Sequence, residues 1–327
     1  DGNPGVDLNL DLKTPDVERL LKLAGLAPPG KQRIGALTAQ GRIAGRPNDL
    51  AFSNFAVTAL GSNIRLTGKL AATAQGVSYN FSRLEVRSDD ADRLLAALGI
   101  ASPLDGRKLG AMTVAGSAQG NATQATIDLD IATQGAKFDL KGSVANIGAS
   151  PTLAMNVSVA HPNFQRFMQL LSPGYGGGAG VGAIDLSARV DGNPDRELRV
   201  TNLHGTLGQA PIAGTITINM AGPVPDIAAT LETGALEIDR ILPIGQRAEL
   251  QPGLRQYPPN VVPAGVELAQ ATGRAGKFSR SPIDVSALRS VNARVDLKSQ
   301  ALSLQPWKVE NAVGQIALRD GVLTVTQ

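Results

Sequence analysis

One eleven-residue pattern returns along the chain at a nearly constant interval, and this restricts the fold more than any other feature. The segments are PDVERLLKLAG from Pro15, DDADRLLAALG from Asp89, PNFQRFMQLLS from Pro162 and the shorter LEIDRILP from Leu236. Arg19, Arg93, Arg166 and Arg240 correspond, at spacings of 74, 73 and 74 residues. A fixed period of this length marks stacked supersecondary units rather than unrelated domains.

The first three segments read as short helices. Val17, Leu20, Leu21 and Ala24 form the i, i+3, i+4, i+7 stripe of one helical face. Thr14 and Ser88 are candidate caps, Pro15 and Pro162 suit a first turn, and Asp16, Asp89 and Asp90 sit where the helix dipole favours negative charge. Gly25 and Gly99 can end the helices in a left-handed conformation.

Between the helices the chain alternates with period two. Leu8, Leu10 and Leu12 interleave with Asp7, Asn9 and Asp11; Ile184, Leu186, Ala188 and Val190 interleave with Asp185, Ser187, Arg189 and Asp191. Such alternation predicts strands with one apolar and one polar face. Glycine pairs bracket the segment after each helix, Gly35/Gly45, Gly110/Gly120 and Gly182/Gly192, and read as turns and tight bends. The expected organisation is tandem strand–helix–strand repeats over 1–243, a Pro/Gly-rich irregular segment over 244–281, and further amphipathic strands over 282–327.

Composition narrows the function. Apolar residues are 43% and charged residues 18% of the 327, which argues against disorder. Aromatics are only 3%, so the apolar surface is aliphatic, and 31 basic residues interleave with 28 acidic ones. A clustered basic patch with stacking aromatics is missing from the sequence, so no nucleic-acid partner is expected. The chain has no cysteine, which removes disulfides and thiol chemistry. His161 and His204 lack partners at metal-ligand spacing. Asp89, Asp90 and Asp92 read as a helix start. Gly174–Gly182 lacks the Gly-Lys-Ser/Thr ending of a phosphate loop and reads as a flexible connection. The serines show no nucleophile-elbow spacing. No enzyme activity, metal or cofactor is expected. The register arginines fall off the apolar stripe, on a solvated face or against lipid headgroups.

One short helix per unit is too little to cover several amphipathic strands. The sheet must therefore fold into a filled sandwich or curl into an open trough. The expected fold is mainly β: an elongated, curled, taco-like antiparallel sheet of about 20 strands around a groove. The groove lining is read as Leu8, Leu10, Leu12, Ile127, Leu129, Ile131, Met155, Val157, Val159, Ile184, Leu186, Val190, Ile216, Ile218 and Met220. The ligand expected there is a phospholipid or other acyl lipid. The competing expectation is a passive scaffold or β-solenoid adhesin with a filled core. An outer-membrane barrel is disfavoured by the lack of aromatic girdles and by the helix in each unit.

The strand–helix pattern and the stretch FSRSPIDVSALRSVNARVDLKSQALSLQPWKVENAVGQIALRDGVLTVTQ, Phe278–Gln327, resemble the AsmA family of bacterial envelope proteins. Within it Ser281-Pro282-Ile283-Asp284 leads into Leu288, amphipathic strands follow, and Leu318-Arg319-Asp320-Gly321-Val322-Leu323 closes the series. The resemblance implies a long curled sheet with an apolar groove, similar to bridge-like lipid-transfer proteins. It also implies an inner-membrane anchor, a body in the periplasm, and a part in outer-membrane lipid homeostasis through phospholipid movement. The sequence is expected to be a piece of a longer protein, with such an anchor expected outside it.

Overall fold

A computed structural model describes residues 5–23, 25, 30, 32–73, 76–100, 108–172, 174–241, 291–304, 307–319 and 322–326. The expected irregular segment 244–281 and the start of the AsmA-like stretch lie outside the described residues, as does Ala24.

The strands are β1 (Val6–Thr14), β2 (Leu37–Arg46), β3 (Asp49–Ala59), β4 (Ser62–Thr73), β5 (Gly76–Ser88), β6 (Met112–Asn121), β7 (Gln124–Thr133) and β8 (Ala136–Ala145). They continue as β9 (Thr152–His161), β10 (Ile184–Asn193), β11 (Glu197–Leu207), β12 (Ala210–Asn219), β13 (Asp226–Glu237), β14 (Asn292–Leu304), β15 (Trp307–Arg319) and β16 (Val322–Thr326). Among the described residues four helices interrupt them: α1 (Val17–Leu23) after β1, α2 (Ala91–Ala97) after β5, α3 (Phe164–Leu171) after β9 and α4 (Ile238–Ile241) after β13. All sixteen described strands join in one open sheet whose spatial order is the chain order. Each strand pairs with its sequence neighbours, so the sheet grows along one axis and never closes on itself. At a strand spacing of about 4.8 Å it extends about 70 Å from β1 to β16.

Pairing is antiparallel with one exception that corrects the sequence expectation. β13 and β14 run parallel, from Asp226↔Asn292 to Glu237↔Ser303. A parallel pair needs a crossover rather than a hairpin, and the long 242–291 connection supplies the length for one.

Tight hairpins set the register elsewhere. Leu60-Gly61 joins β3 to β4 and Gln134-Gly135 joins β7 to β8, with all four residues at positive φ. Two-residue turns of this kind match the natural twist of paired strands. Because strands reverse at every antiparallel connection, β1, β5, β9 and β13 all run the same way. Their helices therefore lie along a single rim of the sheet.

The helices are anchored by a recurring set of hydrogen bonds. The side chains of Asp16, Asp90 and Asn163 accept from the backbone N–H of Arg19, Arg93 and Arg166. One step earlier, Thr14 Oγ1, Ser88 Oγ and His161 Nδ1 accept from the N–H of Asp16, Asp90 and Asn163. The N–H of Val17, Ala91 and Phe164 donates to the carbonyls of Gly35, Gly110 and Gly182. The caps are thus Asp16, Asp90 and Asn163 rather than Thr14 or Ser88. Pro15 and Pro162 precede the cap instead of opening the first turn. The apolar stripe is also narrower than expected: Val17 is buried, Leu21 is half-buried and Leu20 faces solvent.

The closed packing sits at this rim. Phe164, Phe167, Ala136 and Ile184 form a buried cluster, with Phe138, Val159, Met168 and Tyr175 packed against it. The Gly174–Gly182 stretch is tied down there rather than loose. Gly178 N–H donates to the Arg240 carbonyl at 2.6 Å, and the Tyr175 hydroxyl donates to the Ile241 carbonyl at 2.5 Å.

Mid-strand irregularities bend the sheet. Register shifts lie at Phe52/Phe55, Phe81/Leu84 and Val200/Leu203, and Asn54 and Asn202 take left-handed backbone within two of them. Such bulges bend a strand and increase its twist. Gly116, on β6 at φ +145°, shows how tight the bend is: an added Cβ would lie 1.9 Å from the Asp128 carbonyl oxygen. Only glycine fits.

Candidate functional site on the apolar face

The two faces of the sheet differ in chemistry and in cover. On β7, Ala125, Ile127, Leu129, Ile131 and Thr133 are half-buried, while Gln124, Thr126, Asp128 and Asp130 are exposed. β8 and β12 show the same alternation. Half-burial is what cross-strand neighbours alone provide. Among the described residues no second layer covers the apolar face below the helical rim.

The register joins these residues into ladders across the sheet. One runs Leu8, Ile43, Phe52, Gly68, Phe81, Ala118, Ile127, Gly142, Met155, Val190, Val200, Ile216, Ala229, Val295, Ile316, Val325, one residue from each strand. Every member is apolar or glycine. A second ladder, from Val6 through Gly45, Leu50 and Leu70 to Leu198, Ile218, Ile227 and Leu323, likewise carries no charge. A third passes through Leu12, Ala39, Val57, Ile64, Val86, Val114, Ile131, Phe138, Val159 and Leu186 before turning polar at Thr233 and Ser299. Bulges preserve this segregation: Phe52 and Phe55 are three apart, yet their rings meet edge to face at 5.4 Å.

Most of the residues singled out from sequence share this face. Leu8, Ile127, Met155, Val190 and Ile216 stand on the first ladder, Ile218 on the second, and Leu12, Ile131, Val159 and Leu186 on the third. Leu10 faces Gly41, while Leu129 and Val157 flank Leu140. Two depart from expectation. Ile184 belongs to the closed rim cluster, against which Val159 and Leu186 of the third ladder also pack, and Met220 lies beyond the end of β12 in the turn to β13. Leu8 is 54% exposed because β1 is an edge strand. Period-two reading placed Val295 and Ile316 on strands of the same groove but missed Ile43, Phe52, Phe81 and Val200. For the last three the signal was apolar residues three apart, Phe52/Phe55, Phe81/Leu84 and Val200/Leu203, which marks a bulge within a strand.

The opposite face carries the charge. Arg42 holds Asp7 through two bonds of 2.7 and 2.5 Å, and Lys141 meets Asp128 at 2.6 Å. Both pairs are exposed and add little stability; they keep this face in water. Asp139 lies opposite Asp130 on the neighbouring strand. The hydrogen bond shared with Asp130 holds its carboxyl above the usual carboxylate range, helped by burial and by the Asp130 and Asp128 charges.

Comparisons with protein-family models, curated proteins and solved structures return no match. The chemistry of the site therefore rests on its own geometry. His161 is buried, its Nδ1 accepting from Asn163 N–H and its Nε2 lying 3.4 Å from the Gln134 carbonyl, so it serves the α3 cap. His204 is exposed on β11, with Nδ1 2.7 Å from the Asn202 carbonyl. What the apolar face offers is a continuous hydrocarbon surface without convergent polar groups. Such a surface can hold long alkyl chains in many equivalent positions.

Proposed function

We propose that the chain is an array of units of about 74 residues whose curled sheet forms a taco-like trough, and that this trough carries the acyl chains of phospholipids. The reading extends the AsmA resemblance: a non-catalytic segment of a periplasmic protein, held to the inner membrane by a segment outside this chain, that moves lipid between inner and outer membrane and supports outer-membrane lipid homeostasis.

One observation carries the proposal: uncharged ladders run through all sixteen described strands while most of the face they form, with Met155 and Ala229 among the exceptions, stays half-open. Apolar surface left in water is unfavourable by about 25 cal/mol per Å², and each methylene buried against it contributes about 0.8 kcal/mol. An acyl chain lying along the ladders would gain about 10 kcal/mol with no specific contact. It could therefore slide between equivalent positions. A filled scaffold core would need a second layer.

The test is organic extraction and lipid quantification of the purified chain beside Leu129→Asp and Val157→Asp. The expected result is phospholipid in the parent and much less in both variants, with far-ultraviolet circular dichroism unchanged. Lipid-free parent protein, or variants that load as well as the parent, would refute the proposal.

A further inference from the structure

The helical rim has a chemistry that the trough does not use. α1, α2 and α3 recur every fourth strand, about 19 Å apart, and each presents an arginine and an aliphatic side chain to solvent. Arg19, Arg93 and Arg166 are exposed. Their backbone N–H groups are fixed by the caps, and no ion pair to these side chains occurs among the described residues. Acidic groups beside them are turned to other work. Asp16 and Asp90 cap the helices, Glu18 accepts from Ile34 and Gly35 N–H, and Asp92 accepts from Leu109 and Gly110 N–H. Asp89 and Asp90 are exposed counter-charges, Arg33 pairs with Asp16 at 3.7 Å, and Lys22 and Lys108 are further exposed cations. At the far end of these helices Leu23 is 83% exposed, and Leu98, Ile100 and Leu171 are exposed as well.

We infer that this rim docks on the surface of an anionic lipid bilayer. Exposed arginines that make no ion pair among the described residues, set beside protruding aliphatic residues, suit the headgroup layer, where phosphate takes the guanidinium and the leucines enter the acyl boundary. A helix of seven or eight residues, as in α1 to α3, binds such a surface weakly alone. Three in a row on one rigid sheet bind together, because each engaged helix raises the local concentration of the next. The rim lies along the strand ends, so the sheet's long axis would lie parallel to the bilayer. This inference stands apart from lipid carriage: the trough can load without rim docking, and the rim can dock with an empty trough.

The test is co-sedimentation of the full chain with phosphatidylcholine vesicles, with and without about a third phosphatidylglycerol. The inference expects binding only to the anionic vesicles, weakened by salt. Each of Arg19→Glu, Arg93→Glu and Arg166→Glu should weaken it about fivefold, and the triple variant about a hundredfold. A control triple, Lys69→Glu, Lys141→Glu and Arg199→Glu, makes the same charge change on the polar sheet face and should retain binding. Leu23→Ser with Leu98→Ser should weaken binding while leaving its salt dependence. No binding to anionic vesicles, or equal loss in the two triple variants, would overturn the inference.

Discussion

The helical rim and the open face lie on the same strands yet use apolar residues differently. At the rim, Ala136, Phe164, Phe167 and Ile184 close into a core, with Phe164 8% exposed. A few residues along those strands, Leu129, Leu140 and Val157 stand side by side and remain half-buried. The rim resembles the interior of a globular protein. The face presents half-buried aliphatic side chains that, among the described residues, only cross-strand neighbours cover.

The sharpest way to break this contrast is to truncate one residue in each region. Phe164→Ala should cost about 3–5 kcal/mol, as a large side chain lost from a closed core does, whereas Leu129→Ala should cost about 1 kcal/mol. Urea unfolding of lipid-free protein measures both. Equal losses would mean that the face is packed like the rim.

Gly116→Ala probes the bend that separates the two regions. The Cβ has no room beside Asp128, and the strain should cost about 1–3 kcal/mol. Hydrogen exchange should place the loss in β6 and β7, with the α3 cluster unaffected. Faster exchange throughout the sheet would show that bend and rim are one cooperative unit.

Smaller effects come from charge. The Glu18 carboxylate sits below its usual range, held first by its own backbone N–H and then by those of Ile34 and Gly35, against burial. Its contribution is therefore present above the unfolded-state pKa and lost as pH falls through the lower folded value. Glu18→Gln should lower the melting temperature at neutral pH and converge with the parent in acid. Asp139 has the opposite sign. Its raised pKa favours the protonated form, a stabilisation complete below the unfolded value and lost as pH rises through the folded one. Asp139→Asn should raise the melting temperature slightly at neutral pH and leave it unchanged in acid. Since Glu18 belongs to the rim and Asp139 to the polar sheet face, the pair also reports which region melts first.

Much of the architecture could be read from sequence because two periodicities coincide. The 74-residue spacing located α1, α2 and α3, and alternation located the strands between them and, away from the bulges, the face a residue takes. Register could not be read, because it is set by turn geometry and bulges: nothing local to Ile127 names Gly142 and Ala118 as its neighbours. The parallel β13–β14 pair was hidden because alternation is blind to strand direction. Ile184 was assigned to the trough because its spacing matches Leu186, but its place at the first position of β10 puts it against Phe164. The role of His161 could have been found: it occupies the position of Thr14 and Ser88 in the register, and all three accept the same hydrogen bond.

The account turns on whether lipid lies along the ladders. A photoactivatable phenylalanine analogue placed at Leu129, Val200 or Ile316, and at Asp128, Arg199 or Gln315 on the polar face, tests this directly. Irradiation of protein purified from cells, followed by mass spectrometry, should give phospholipid adducts at all three apolar-face positions and none on the polar face. Adducts absent from the apolar face, or equally frequent on both, would contradict the central claim.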